Sequence, residues 1–146
     1  MATPSSIDTL IQLAAKQTDE AAKRLGHAIH ACDEVEKKLN LLLQYRDDYA
    51  KRFQDTLSIG LSATGYRNFQ LFIDKLDAAI ASQELVVLDA KRRIEESRSA
   101  WQSSERKRMS YGTLAKRALK EDQRKESRRD QKAMDEHTAR AILFKR

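Results

Sequence analysis

The chain carries a seven-residue repeat of apolar residues along almost its entire length. The spacing between successive apolar positions alternates between four and three, which keeps them on one face of an α-helix. In the first half these positions are Ile7, Ile11, Ala14, Ala21, Leu25, Ala28, Cys32, Val35, Leu39, Leu42, Tyr49 and Phe53. In the second half they are Phe69, Ile73, Leu76, Ile80, Val87, Ala90, Ile94, Trp101, Tyr111, Ala115 and Ala118. The repeat breaks once, between Ser58 and Thr64, around Gly60. We therefore predict an all-α fold, a long antiparallel two-helix coiled coil that forms a helical hairpin.

The composition and the capping residues set the predicted boundaries. One proline, four glycines and 34% charged residues favour long uninterrupted helices. Ser5 followed by Asp8 resembles a capping box, and Ser62 or Thr64 is suited to cap the second helix. We predict a single elongated domain over residues 1–146, with helix 1 at about 5–57, a tip at 58–66 and helix 2 at about 67–140.

The second helix is predicted to be longer than the first. If Leu57 faces Asn68 across the tip, Ile7 comes level with Ala118, and residues 119–146 form an overhang without a partner helix. Residues 116–146 hold eleven basic and six acidic side chains, and this segment supplies most of the net charge of +6. A lone polar helix is only marginally stable in water. The overhang is therefore either a solvated, fraying tail or a segment that docks into another protein with an acidic surface.

The residue types that catalyse reactions or hold cofactors are not grouped in this sequence. His27, His30 and His137 have no carboxylate or cysteine at a spacing that completes a metal site, and Cys32 lies on the apolar seam. The sequence has no glycine-rich phosphate loop. We predict that the protein is not an enzyme and binds no metal or cofactor.

Cysteine content and hydropathy indicate a compartment. A single cysteine excludes an internal disulfide and is typical of a reducing environment. The longest apolar runs are far shorter than the ~20 residues that a membrane span needs. We predict a cytoplasmic protein.

The half of the hairpin nearest the tip carries more apolar residues than a two-helix seam needs. The additional residues are Leu43, Tyr45, Leu71, Phe72 and Ala79, which join Leu42, Tyr49 and Leu76 of the repeat. Broad apolar surface rimmed by charge is typical of contact sites, and a wide coiled-coil core is the alternative interpretation.

A heptad chain with a basic end also suggests a nucleic-acid-binding coiled coil. Six acidic residues dilute the basic segment, and the heptads fold back on themselves instead of forming a parallel dimer. This hypothesis is kept as the alternative function.

Four motifs occur in order around the hairpin: the segments 42–49, 68–76 and 130–136, together with the lone Trp101. In this arrangement, and over nearly the whole chain, the sequence resembles the FliJ family of the bacterial flagellar type III export apparatus. The resemblance implies a cytoplasmic, non-enzymatic coiled coil similar to the central stalk subunit of rotary ATPases. It implies a role in flagellum biogenesis and motility, peripherally associated with the export apparatus at the inner membrane.

The resemblance also implies partners and residues. The end that carries both termini would engage the hexameric export ATPase and promote its assembly or activity. The tip region would contact the cytoplasmic linker of the export-gate membrane protein, and export chaperones would be further partners. The implied gate-binding patch is Leu42, Tyr45, Tyr49, Phe72, Leu76 and Ala79, with Lys38 at its edge and Gln83 where family members often have histidine. For ATPase binding we expect Arg124, Arg128, Arg129, Lys132, Met134 and Arg140. The equivalent stalk of a virulence secretion system is a further alternative.

Overall fold

The computed structural model describes residues 6–145 and consists of two antiparallel helices. Helix α1 spans Ser6–Ile59 and helix α2 spans Ala63–Phe144. The two helices pack against each other as a hairpin, and the described residues include no strand, so the predicted fold class is confirmed. The predicted cap at Ser5 lies outside the described residues.

The connection between the helices is only three residues long, shorter than the predicted tip. Gly60 follows the last residue of α1, and its φ of 113° is a conformation that side-chain-bearing residues rarely adopt. The Gly60 N–H donates to the carbonyl oxygens of Thr56 and Leu57, at 3.1 and 3.3 Å. Helix α2 begins after Ser62, whose Oγ accepts a hydrogen bond from the Gly65 N–H at 3.1 Å. Ser62 is therefore the N-cap, and Thr64 already belongs to the helix.

A ring contact next to the connection differs from the pairing expected from the sequence. The register expected from the sequence places Phe69 opposite residue 56. In the structure the Phe69 ring stacks on Phe53, with the centroids 3.5 Å apart. This contact is offset by three residues from the expected pairing, which is about 4.5 Å along a helix.

The chain packs as two units, which differ in their interiors. One unit is Asp19–Gln102, and its buried side chains are Ala21, Cys32, Ile73, Leu76, Ile80 and Val87. The other combines Met1–Thr18 with Ser103–Arg146, and within its described residues only Ala14 and Thr18 are buried. The Thr18 hydroxyl donates to the Ala14 carbonyl oxygen at 2.8 Å, so this buried polar side chain has a hydrogen-bond partner.

The geometry of Gly60 leads to a prediction about stability. Changing Gly60 to alanine places a Cβ on a backbone with positive φ, so the free energy of unfolding should fall by at least about 1 kcal/mol. Gly26→Ala is the matched control, because Gly26 lies inside α1 and a Cβ there meets nothing within 4 Å. The control should raise the free energy of unfolding by about 1 kcal/mol. Urea denaturation measures both, and equal effects would contradict the assigned role of Gly60.

Candidate protein-interaction surfaces

Six aromatic rings form a continuous series of contacts between the helices next to the connection. From the connection outward the contacts run through Tyr66, Phe53, Phe69, Tyr49, Phe72 and Tyr45, with ring centroids 3.5–6.4 Å apart. Tyr49 of α1 lies between Phe69 and Phe72 of α2, at 5.3 and 4.4 Å. Aromatic pairs at these distances stabilise beyond the area that they bury. The aromatic residues of the implied patch therefore belong to a packed series that holds the two helices together.

The seam is the line along which α1 and α2 pack together, and its two flanks are the surfaces on either side of that line. The side chains on the two flanks differ in polarity. Tyr45 and Arg46 are consecutive on α1 and so lie about 100° apart around the helix. Both reach α2, Tyr45 at the Phe72 ring and Arg46 at the Asp77 carboxylate, so they lie on opposite sides of the contact line. On one flank, Arg46 of α1 and Asp77 of α2 form an ion pair across the seam. On the other flank Tyr45 remains 51% exposed.

A shallow groove lies beside Tyr45 on this second flank. Its volume is about 520 Å³, and its lining residues are Lys38, Leu41, Leu42, Tyr45 and Gln83. The Gln83 amide Nε2 donates across the seam to the carbonyl oxygen of Val35 at 3.0 Å, which ties α2 to α1 at the groove. Leu41 is 65% exposed. The groove therefore offers apolar surface that no other part of this unit covers.

The six residues of the implied gate-binding patch are not equally accessible. Tyr45 and Ala79 are exposed, whereas Leu42, Tyr49 and Phe72 are half-buried. Leu76 is only 7% exposed and belongs to the core of the seam. Leu76 therefore packs beneath the patch. Only the other five side chains of the patch have solvent-exposed area that a partner could contact.

Sequence reasoning missed a second groove, which lies farther from the connection. Its volume is about 500 Å³, and its lining residues are His27, Ala28, Ala31, Val35, Val86, Asp89, Ala90, Arg93, Glu96 and Ser97. Three of these are alanines, and their small side chains leave space between the helices. Alanines at seam spacing could have indicated this groove, but the repeat alone does not distinguish a tightly packed seam from an open one.

The four apolar residues of the run Leu85-Val86-Val87-Leu88 differ in burial. Only Val87 is buried, while the other three side chains are exposed. Leu85 and Leu88 line a further shallow groove on α2 together with charged residues. An apolar run of four in a helix necessarily covers more than one face, so part of it must remain outside a two-helix seam.

Every described residue after Ala118 is exposed, from Leu119 to Lys145, although helix α2 continues to Phe144. The residues implied for ATPase binding all lie in this segment: Arg124, Arg128, Arg129, Lys132, Met134 and Arg140. Arg124 forms a loose ion pair with Glu121 at 3.9 Å, and Met134 is 66% exposed. Exposed pairs of this kind contribute little stability. The segment therefore presents a mixed but predominantly basic surface with isolated apolar residues.

The described residues were also searched for a reactive thiol and for a metal-binding cluster. Cys32 is buried, and its thiol donates to Glu36 Oε1 at 3.7 Å. Burial, with the Glu36 carboxylate as a second cause, raises the pKa of the Cys32 thiol, which disfavours the reactive thiolate. Within residues 6–145 no three His, Cys, Asp or Glu side chains are grouped to hold a metal ion. Neither α1 nor α2 contains a stretch apolar enough to span a lipid bilayer.

Comparison with known proteins assigns a family to this hairpin. Residues 4–146 match the profile of the family described as Flagellar FliJ protein. The chain belongs to the FliJ family. A flagellar FliJ protein of Salmonella typhi is 29% identical over 145 residues, which covers 99% of each chain. One of Escherichia coli K12 is 28% identical over the same length and coverage. The resemblance inferred from four motifs is therefore confirmed over nearly the whole chain.

The different burial of Leu76 and Leu41 leads to a prediction. Leu76→Ala should lower the free energy of unfolding by about 2–5 kcal/mol, because it leaves a cavity in the seam. Leu41→Ala removes the same atoms from an exposed position in the groove and should change stability by less than about 0.5 kcal/mol. Urea denaturation followed by circular dichroism measures both variants. A small effect of Leu76→Ala would place its side chain at the surface instead of in the core.

Proposed function

We propose that this protein is a coupling stalk of the flagellar type III protein export apparatus. In this proposal it acts at the cytoplasmic face of the inner membrane, binds the hexameric export ATPase at one end and the export gate near the connection, and also interacts with export chaperones. It performs no catalysis and requires no cofactor. Membership of a flagellar family supports the biological setting.

The observation that carries the proposal is the uncovered length of α2. Helix α2 has 82 residues and α1 has 54, and every residue from Leu119 to Lys145 is exposed. An isolated helix of this polarity gains little from its own propensity and is stabilised mainly by packing against something else. A partner with an acidic or preformed cavity provides such packing for a basic helix. The central opening of a ring-shaped ATPase fits this description.

The gate-binding part of the proposal rests on the uneven flanks of the seam. Tyr45 and Leu41 expose apolar surface beside a groove of about 520 Å³, in the unit that contains the connection. Aromatic side chains with exposed faces are enriched in protein interfaces because they bury much area at low entropic cost. This patch and the terminal segment lie in different packing units, which suits a protein that contacts two partners.

Charge reversal in the overhang tests the ATPase-binding part. In the full-length protein, Arg124→Glu, Arg128→Glu and Lys132→Glu together should weaken binding to the purified export ATPase by about tenfold or more, because like charges then meet across the interface. The matched control reverses Lys51, Arg67 and Lys75, which are also exposed but lie in the unit that contains the connection, and should change binding by less than about twofold. Biolayer interferometry measures both variants. Equal affinities for both would contradict docking through the overhang.

Removal of residues 119–146 gives an independent check of the same interaction. The truncated chain should lose ATPase binding in a pull-down while its affinity for the gate remains unchanged. Retention of ATPase binding would refute the assignment.

Alanine substitution tests the gate-binding part. Tyr45→Ala with Phe72→Ala should reduce binding to the cytoplasmic domain of the export gate by about tenfold, since aromatic anchors dominate such interfaces. Tyr66→Ala is the matched control, because Tyr66 is also an exposed member of the aromatic series but lies at the connection. Swimming motility should fall only for the double variant. Loss of helical circular dichroism in that variant would instead assign both rings to the core.

A further inference from the structure

The outer side of helix α2 carries an apolar stripe that the seam with α1 does not use. We call it the outer stripe, and its residues are all exposed: Ala78, Ala81, Leu85 and Leu88. Leu85 and Leu88 are 68% and 65% exposed. The four residues follow one another at intervals of three, four and three, which is the heptad spacing of a coiled-coil seam. Helix α2 therefore has the residue pattern for a helical partner on this side as well.

The outer stripe points away from α1. Ile80 and Val87 are buried in the seam with α1, and Ala78 and Leu85 precede them by two residues. Two residues correspond to about 200° around an α-helix, so the stripe and the seam lie on nearly opposite sides of α2. The described residues therefore leave the stripe uncovered, and its leucines remain in water unless a further helix packs on them.

The outer stripe is complementary to itself. Two copies of α2 in an antiparallel register that places Ala81 opposite Leu85 of the second copy also place Ala78 opposite Leu88. A two-fold axis repeats both contacts, which gives four apolar layers. Each layer joins an alanine to a leucine, and the small side chain leaves space for the large one. The stripe is therefore suited to pack against a second copy of itself.

Charged residues end the outer stripe and select the orientation of the second copy. Asp74 precedes Ala78 by four residues and Arg92 follows Leu88 by four, so both continue the spacing of the stripe. The antiparallel register places Asp74 opposite Arg92 of the second copy at each end. A parallel arrangement would instead place Asp74 opposite Asp74 and Arg92 opposite Arg92. Because like charges that face each other destabilise a coiled coil, the antiparallel orientation is favoured.

The charges beside the stripe favour the same register. It brings Lys75 toward Asp89 of the second copy and Asp77 toward Lys91. Asp77, Asp89 and Lys91 also form ion pairs within their own chain, but these pairs are exposed, so a second partner joins them without disturbing a buried contact. Glu84 is the exception, because it lies beside the axis and meets Glu84 of the second copy.

A shift of the register by one heptad loses this complementarity. In one direction Leu85 would face Asp74 of the second copy, and in the other direction Ala81 would face Arg92. Either shift replaces apolar layers with charged ones, which disfavours it. Side-chain size and charge therefore favour one and the same register.

We propose that a second copy of this chain packs on the outer stripe and forms a two-fold antiparallel dimer through α2. The contact runs from Asp74 to Arg92, which is roughly 27 Å of helix at 1.5 Å per residue. With four apolar layers it buries less area than a standard interface of about 1,600 Å². The dimer is therefore weak, and its population depends on the protein concentration. This inference does not depend on the proposed stalk function.

Sedimentation velocity of the full-length protein tests the dimer. Between about 5 and 500 μM the chain should pass from monomer to dimer, as expected for a small interface. Leu85→Glu with Leu88→Glu should weaken dimerisation by at least about tenfold, because carboxylates then replace leucines in the apolar layers. Both leucines are exposed, so the helical circular dichroism should remain unchanged.

Leu41→Glu is the matched control for this experiment. Leu41 is a leucine of 65% exposure that lies on α1, outside the outer stripe, so its substitution should change dimerisation by less than about twofold. Equal effects of the control and the double variant would overturn the inference. A wild-type chain that remains monomeric at the highest concentration would also overturn it and would leave the stripe to a helix of another protein.

Crosslinking tests the register without altering the outer stripe. Each variant also carries Cys32→Ala, so that the introduced thiol is the only one in the chain. Ser82→Cys lies one residue from the middle of the antiparallel register and should join two copies through a short bismaleimide crosslinker. Ser99→Cys is the matched control, because Ser99 is exposed on the same side of α2 but lies roughly 48 Å from its counterpart in this register.

The two cysteine variants distinguish the possible arrangements. Crosslinked dimers should form with Ser82→Cys and should be absent with Ser99→Cys. Crosslinking through Ser99→Cys would indicate a parallel arrangement, and absence of crosslinking through Ser82→Cys would exclude the antiparallel register. Either result would overturn the inference.

Discussion

The stacking of Phe53 on Phe69 is the contact on which the arrangement of the two helices depends. The two rings are nearly parallel, and their centroids are 3.5 Å apart. They lie only a few residues from a three-residue connection, so this contact and the connection together fix how α1 and α2 are aligned. Tyr49 against Phe72 continues the alignment at 4.4 Å. Large, stiff side chains specify such an alignment well, because a shift along the helix would separate rings that bury considerable apolar surface.

The register has consequences for the surface of the hairpin. It brings Arg46 to Asp77 on one flank of the seam, while the other flank retains Tyr45 and the groove at Lys38. A two-helix coiled coil cannot bury a broad apolar stripe completely, because each helix has only one neighbour. The flank with the Arg46–Asp77 ion pair presents polar groups to solvent, whereas the flank with Tyr45 leaves aromatic surface exposed. The same core that stabilises the hairpin therefore determines which apolar side chains remain exposed.

The unequal lengths of the helices provide a second kind of surface. Beyond Ala118 the described part of α2 has no buried side chain, and it carries many basic residues. Such a segment contributes little to the stability of the hairpin. Folding therefore places little constraint on its sequence, which can instead be suited to an intermolecular contact. The proposed stalk function uses both consequences of the fold, the open flank for one partner and the uncovered helix for another.

The periodicity of the sequence was sufficient to determine the fold class. Spacings of three and four specify a helix face, and a single break at Gly60 specifies two helices, because both are local properties of the chain. The motifs around the hairpin were sufficient to recognise the FliJ family. Ser62 was correctly included among the possible caps of α2, because its hydroxyl acts on a backbone N–H only three residues away.

The exposure of individual patch residues was decided only by the tertiary structure. Leu76 and Tyr45 have similar apolar character in the sequence, yet one is 7% exposed and the other 51%. The pairing of Arg46 with Asp77, and the hydrogen bond from Gln83 to the Val35 carbonyl oxygen, join residues that are distant in the chain. Periodicity gives the face on which a side chain lies, but the neighbour that it meets depends on the alignment of two helices. That alignment depends on which aromatic rings pack together across the seam, and this packing is not a local property of the sequence.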